Sequence, residues 1–263
     1  MSYGLEDRTA VVGGASAGLG FAVARGLAAE GARVLMVSRS EERIQAAAAR
    51  VVEITGGEAA ALAADVRDPD APARMAAAAR ERFGPVDVLV TNAGGPPSMP
   101  AAEATSKDLE AATRLLLLPV QRLVGEVLPE MRERRWGRIV SITSIAVREP
   151  QPGLVLSNAL RSAVTGYLKS LAAEVAADGV TVNTVCPGFT ATQRLQELAA
   201  VVAAREGKTV REVLDGWGQR AAMKRLLDPA EVAAAVVFLA SEVASGITGI
   251  ALPVDGGFGS FLL

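Results

Sequence analysis

Between a β-branched run and an Ala-rich stretch of helical character lies Gly13-Gly14-Ala15-Ser16-Ala17-Gly18-Leu19-Gly20. Glycines at 14, 18 and 20 keep side chains off the backbone, so main-chain N–H groups and the positive end of the following helix can meet a pyrophosphate. Glycines also serve plain tight turns; the strand before and the helix after turn this cluster toward a dinucleotide site. Other chemistry is bounded by what is missing. The chain has no His and one Cys, Cys186. That removes Ser-His-Asp and Cys-His catalysis and the commonest metal ligand, so no metal site is expected. A lone cysteine forbids an internal disulfide and fits a reducing, cytoplasmic compartment.

The elements that must position such a turn alternate along the chain. Strands are expected at Thr9–Val12, Arg33–Val37, Ala60–Ala64, Val86–Thr91, Arg138–Ile142, Val180–Val185 and Ile250–Val254. Helices are expected at Leu19–Glu30, Glu41–Ile54, Ala71–Phe83, Lys107–Leu118, Val120–Arg134, Asn158–Ala176 and Ala230–Ala240. Strand–helix alternation repeated this often means right-handed crossovers and a parallel sheet covered on both faces. The predicted fold is therefore α/β, a Rossmann-type, doubly wound, mainly parallel seven-stranded sheet, with residues 1–263 as one dinucleotide-binding domain. One stretch, Phe189–Leu227, breaks the rhythm with a long helical excursion. It reads either as ordinary amphipathic packing or as a lid over a ligand site at 189–227.

Composition agrees. Of 263 residues, 50% are hydrophobic and 21% charged, enough apolar material for a sizeable core. A net charge of −2 offers no electrostatic footprint for nucleic acid. No apolar run reaches the roughly 18 residues of a membrane span, and Met1 to Arg8 does not read as a secretory signal.

At the glycine turn the chain resembles the short-chain dehydrogenase/reductase family, whose turn reads Thr-Gly-x-x-x-Gly-x-Gly; Gly13 stands at the Thr position. The resemblance runs nearly end to end. Asp65-Val66 looks like the family's adenine-contacting pair, and Thr91-Asn92-Ala93-Gly94 like its Asn-Asn-Ala-Gly motif. Val182-Asn183 with Pro187-Gly188-Phe189-Thr190-Ala191-Thr192 is similar to its Val-Asn…Pro-Gly-x-x-x-Thr stretch, and Val254-Asp255-Gly256-Gly257 to its C-terminal signature. The resemblance implies that Gly14, Ser16, Gly18, Leu19, Gly20, Asp65, Val66, Asn92, Ala93, Gly94, Pro187, Gly188, Thr190 and Thr192 contact a nicotinamide cofactor. An NAD-preferring site of this kind wants an acid at the end of the second strand, to accept from the ribose hydroxyls. The chain has Val37-Ser38-Arg39-Ser40 there. Ser38 can donate a hydrogen bond and Arg39 can grip a 2′-phosphate, so NADP(H) is expected over NAD(H).

The family's catalytic positions are another matter. Ser144 takes the place of the Ser that polarises the carbonyl. Thirteen residues on, the family has Tyr and this chain has Ser157; four further on, the family has Lys and this chain has Arg161. Leu116 replaces the Asn of the family's water relay. An aliphatic hydroxyl is far weaker as an acid than a phenol and is shorter by a ring. Arg161 can still hold ribose hydroxyls but is a fixed charge at neutral pH. Tyr167, about 15 Å along the helix from Ser157, reads as packing. Asn158 reads as a helix-start residue or a replacement catalytic group. Arg148 and Glu149 read as a surface loop or as groups for an acidic substrate. Pro96, Pro97, Met99, Leu154 and Phe189 suggest an apolar pocket.

Two functions follow: an NADP(H)-dependent oxidoreductase acting on a ketone or 3-oxoacyl substrate with divergent acid/base residues, or an NADP-binding sensor or partner protein without redox turnover. The family resemblance, together with Phe258 and Phe261 ending the chain exposed unless paired, implies a homo-tetramer taking a small-molecule substrate.

Overall fold

The computed structural model describes residues 2–261. Seven parallel strands form one sheet in the order β3-β2-β1-β4-β5-β6-β7. They are β1 (Thr9–Gly13), β2 (Arg33–Ser38), β3 (Ala59–Ala63), β4 (Val88–Thr91), β5 (Gly137–Ile142), β6 (Val180–Pro187) and β7 (Ala251–Val254). The intervening helices are α1 (Gly18–Ala29), α2 (Glu41–Thr55), α3 (Ala71–Phe83), α4 (Ser106–Leu116), α5 (Leu118–Glu133), α6 (Val155–Val175), α7 (Gln193–Glu206), α8 (Val210–Arg220) and α9 (Pro229–Ala240). The expected class and strand count hold.

β1, β4 and β5 are buried throughout, because helices cover both faces. One core layer joins the sheet to α1, α2 and α9 through Val23, Leu27, Ile44, Val51 and Val236. The other joins it to α3, α5 and α6 through Met75, Leu123, Val127, Leu168 and Val175. The chain winds outward from β1 to β3, then crosses back to β4 and winds the other way. The crevice above the C-terminal ends of β1 and β4 is therefore the topological switch point, where doubly wound sheets take their ligands.

Element ends differ from expectation for identifiable reasons. β4 starts at Val88 rather than Val86, because the Asp87 carboxylate accepts from Thr9 N (3.0 Å) and pairs with Arg134 (3.2 Å) at the strand's base. α6 starts at Val155 rather than Asn158. The Asn158 amide is spent on the Gln151 backbone, donating to its carbonyl (3.0 Å) and accepting from its N–H (3.2 Å). It holds the preceding loop shut and is neither a cap nor a reacting group. The Phe189–Leu227 excursion is two helices, α7 and α8, whose return closes on a Thr190–Leu227 bridge.

Phe258 is not left exposed. It is buried edge-on to Phe189 (5.2 Å between centroids), with the Arg220 guanidinium 4.6 Å above its ring. Phe261 packs partly on the same cluster. The aromatic end of the chain is thus paired within the chain and gives no support to association.

Candidate active site and cofactor cleft

The glycine turn enters α1 with Gly14 at φ +59° and Gly18 at φ +56°, backbone that side-chain-bearing residues rarely adopt. A Cβ at Gly20 would drive into the carbonyl of Gly14. α1 begins without a side-chain cap and without an acid in its first turn, so its first N–H groups face the crevice free for a ligand. Across the crevice Asn92 Nδ2 donates to the carbonyls of Gly13 (3.2 Å) and Gly14 (3.5 Å), bracing the turn from the end of β4. Gly94, next along, borders open space.

At the end of β2, Ser38 Oγ is buried with no hydrogen-bond partner. Arg39 beside it is exposed. A buried orphan hydroxyl next to a free guanidinium fits a phosphate-bearing adenosine ribose. Asp65 is held by Arg67 (2.6 Å), which keeps its carboxyl below the usual range. Val66 lines a small pocket beside the cleft, together with Gly13, Asn92 and Ala93. Ser16 is half-buried in the turn. These residues, with the uncapped helix and the glycine cradle, fit an NADP(H) molecule laid across β2, β1 and β4.

The cleft continues, at about 400 Å³, over the ends of β5 and β6. Its walls bring together Gly14, Gly18, Leu19, Asn92, Ala93, Gly94, Ser144, Ser157, Arg161, Pro187, Gly188, Thr190 and Thr192. Ser144 caps a short 3-10 turn, its Oγ accepting from Ala146 N (3.1 Å), so its hydroxyl proton is left to donate. Thr192 caps α7, accepting from Leu195 N (3.2 Å).

Arg161 does not extend straight into the cleft. Its Nη1 turns back to the end of β5 and donates to the carbonyls of Ile142 (3.1 Å) and Thr143 (3.0 Å). Burial, and secondarily the charge of Arg194, pull its pKa down to about 10. Leu116 is buried against Leu156 and Leu160, so no polar path runs through the position of the family's relay Asn. Below the cleft a cavity of about 30 Å³ lies among Leu115, Leu116, Val120, Leu123, Ser141 and Arg161, space for a water molecule or so.

Other candidates are structural. Cys186 is buried, with its thiol pushed up by that burial, and lies 3.3 Å from Thr143 Oγ1. Tyr167 packs into the core between α6 and the sheet, its phenol raised by burial. Arg148 donates to Ala251 O (2.9 Å), away from the cleft, and Phe189 stacks on Trp217 (4.9 Å). Of the apolar residues expected around the pocket, Leu154 lines the cleft.

Five cleft residues escape sequence reasoning: Arg43, Gly95, Gln193, Arg194 and Glu197. Arg194 Nη2 reaches from the start of α7 to Pro96 O (2.8 Å), roofing the cleft, and Arg43 reaches Gln193 (3.3 Å). A signal existed, since a cation in the first turn of a helix opposes the dipole and wants a reason to be there.

A family model described as enoyl-(acyl carrier protein) reductase matches residues 14–259. The 3-oxoacyl-(acyl-carrier-protein) reductase FabG of Vibrio cholerae is 36% identical over 253 residues, 96% of this chain and 98% of that protein. The chain belongs to the short-chain dehydrogenase/reductase family. The solved L-sorbose reductase of Gluconobacter frateurii, complexed with NADPH and L-sorbose, is similar over the whole of both chains (TM-score 0.94, 32% identity). A variant of the actinorhodin polyketide ketoreductase with NADPH matches over 97% of this chain and 98% of its own (TM-score 0.92, 34% identity). Membership accounts for the ordered motifs and for the site's place at the switch point. Among the described residues no helix is long and apolar enough to cross a membrane.

Proposed function

We propose that this chain reduces a ketone, of the 3-oxoacyl or simpler ketone class, at the β5 end of the cleft, with Ser144 orienting the substrate oxygen and Arg161 as a fixed cation beside it. The chain is an NADP(H)-dependent oxidoreductase of its family acting on carbonyl substrates. One observation carries the finer reading. A single cleft joins the uncapped α1 terminus and glycine turn to Ser144, Ser157 and Arg161.

Bound NADPH supplies the hydride that reduces the carbonyl carbon, and negative charge then develops on the carbonyl oxygen. Ser144 has a hydroxyl proton to give that oxygen. Arg161, held by two main-chain carbonyls, places a fixed positive charge nearby, and a preorganised charge of that kind stabilises the developing oxyanion. Its remaining N–H groups are within the cleft for the cofactor's ribose. Ser157 cannot protonate an alkoxide in the manner of a phenol. It serves by holding a water that passes a proton to the alkoxide and takes its replacement from solvent through the open side of the cleft. Helix α7 forms the lid of the 189–227 excursion, since Thr192, Arg194, Leu195 and Leu198 line the cleft from that side, and α8 packs behind it. Small exposed residues on α6, among them Ala159, Ser162, Ala163 and Gly166, offer a flat face for a homo-tetramer in the cytoplasm.

The test is titration of NADPH by fluorescence, followed by NADPH consumption across simple ketones and β-ketoesters. Tight binding and turnover of one class are expected. Tight binding with no consumption on any of them would instead indicate an NADP-binding sensor or partner, the reading that Ser157 and Leu116 favour.

A further inference from the structure

Among the described residues Arg161 has no carboxylate partner. It is partly buried in the wall of the cleft, and burial together with the charge of a second arginine, Arg194, lowers its pKa. Two carbonyl oxygens solvate one of its terminal nitrogens. A buried guanidinium without an acid is costly, and it is retained where a ligand brings the opposite charge.

Arg194 adds the second half. It starts α7, donates to Pro96 O (2.8 Å) and lies across the Gly95 backbone, where a Cβ would come 2.9 Å from its Nη2. Its acidic partner among the described residues, Glu197, is 3.9 Å away, more than half exposed, and lines the outer part of the same cleft. One guanidinium therefore lies on the floor of the cleft and the other on its roof, close enough for the charge of one to act against the other.

The cofactor's own phosphates are placed away from Arg161. Arg194 is nearer to them, since Thr192, two residues before it, packs against the glycine turn at Gly18, so the anion site is tested on the NADP-saturated protein. Ser38 and Arg39 end β2, three strands from β5 in the sheet order, or about 14 Å at the usual strand spacing. The glycine turn follows β1, two strands and about 10 Å away. Neither the 2′-phosphate nor the pyrophosphate, bound at those sites, sits over Arg161. The anion that completes the pair belongs to whatever occupies the β5–β6 end.

We infer that the substrate carries a carboxylate or equivalent oxyanion beside its carbonyl, held between Arg161 and Arg194. This deepens the reading above and rests on it. The anion orients the ketone over the cofactor, and in its absence the two arginines repel one another and the site is incomplete. A bare ketone or neutral ester is then a poor substrate.

The experiment compares acid and ester pairs of one skeleton, acetoacetate with ethyl acetoacetate and pyruvate with methyl pyruvate, under NADPH, in the wild type and in Arg194→Gln, Arg194→Lys and Arg161→Gln. In parallel, malonate, an inert dicarboxylate, is titrated calorimetrically into the NADP-saturated protein. The wild type is expected to prefer the acid in kcat/KM by roughly 10–100-fold, the scale of a hydrogen bond to a charged group. Arg194→Gln should collapse that ratio and weaken malonate to a similar degree, with Arg194→Lys in between. An ester used as well as its acid, or a ratio and malonate affinity unmoved by Arg194→Gln, overturns the inference while leaving ketone reduction intact. If no compound consumes NADPH, the reduction reading fails and malonate decides. Arginine-dependent binding then sustains the anion site, and its absence ends it. Arg194 is half exposed, so its variants keep the test open even if Arg161→Gln does not fold.

Discussion

Arg161 Nη1 lies 3.0 Å from the carbonyl oxygen of Thr143, and the bond ties α6 to the end of β5 at the point where the cleft is deepest. The tie fixes the guanidinium, and burial, with the charge of Arg194 second, brings its pKa down to about 10.

That shift has a sign that can be measured. Below about pH 10 the folded and unfolded chains both carry the proton, and the cost of burying the cation is present in full. Above about 10 the folded chain releases it first, the unfolded chain binds more protons, and stability contributed by this group rises with pH until the unfolded arginine also titrates. Tyr167 works in the opposite direction, since its raised phenol keeps a proton the unfolded chain loses. Urea midpoints between pH 9 and 11 should therefore fall more steeply for Arg161→Gln than for the wild type. Parallel curves would show that the guanidinium is not strained by burial.

Arg39→Asp should weaken NADPH roughly 10–100-fold and NADH far less, because only NADPH presents a phosphate at the end of β2. Fluorescence titration of both cofactors reads the difference. Ser38→Ala should move in the same direction by a smaller factor, since a partnerless buried hydroxyl has little to lose in the free protein. Equal losses for both cofactors would remove Arg39 from the phosphate site.

Two glycines separate fold from cofactor contact. Gly20→Ala puts a methyl group into the backbone of Gly13 and Gly14, which cannot yield cheaply, so the thermal midpoint should fall together with NADPH binding. A methyl at Gly94 meets nothing within 4 Å, so Gly94→Ala should melt like the wild type. It should still bind NADPH at least several-fold more weakly if the cofactor runs along that backbone, as the proposed site requires. Unchanged affinity in Gly94→Ala would place the nicotinamide half elsewhere.

The strand–helix alternation and the glycine turn that opens α1 were legible because they depend on local chemistry. Gly14, Gly18 and Gly20 need their backbone angles and closeness, and they advertise both in sequence. The substrate end was less so. Arg161 is four residues from Ser157, a spacing that puts both on one helix face, but nothing in that spacing says that its Nη1 turns back onto Ile142 and Thr143. Arg194 is about thirty residues further along, and its approach to Pro96 depends on how the α7–α8 pair returns through Thr190 and Leu227. The pairing of Phe258 was hidden for a related reason. Its partners, Phe189 and Arg220, lie in a segment whose path no periodicity specifies.

Ser157→Tyr combined with Arg161→Lys tests the reaction itself. The pair restores a phenol with an ammonium one helical turn away, the arrangement in which a cation pulls a phenol toward neutral pH. Reduction of neutral ketones should rise by about 10²–10⁴, the scale of a positioned general acid. The gain meets two resistances in this structure. Leu116 is sealed against Leu156 and Leu160, so the restored phenol still has no water relay behind it. The new ring must also fit the wall shared with Leu154, and any overpacking there costs about 1–3 kcal/mol, visible as a lower thermal midpoint. Arg161→Lys keeps the positive charge, so the preference for an acid over its ester should survive in weakened form. A rise on neutral ketones with NADPH affinity intact would mean that proton donation limits the natural enzyme. A fall in turnover of the preferred acid would mean that Ser157 and Arg161 run a specialised chemistry of their own. If neither rate moves while the protein folds and binds NADPH normally, the β5 end of the cleft is not where the reaction takes place.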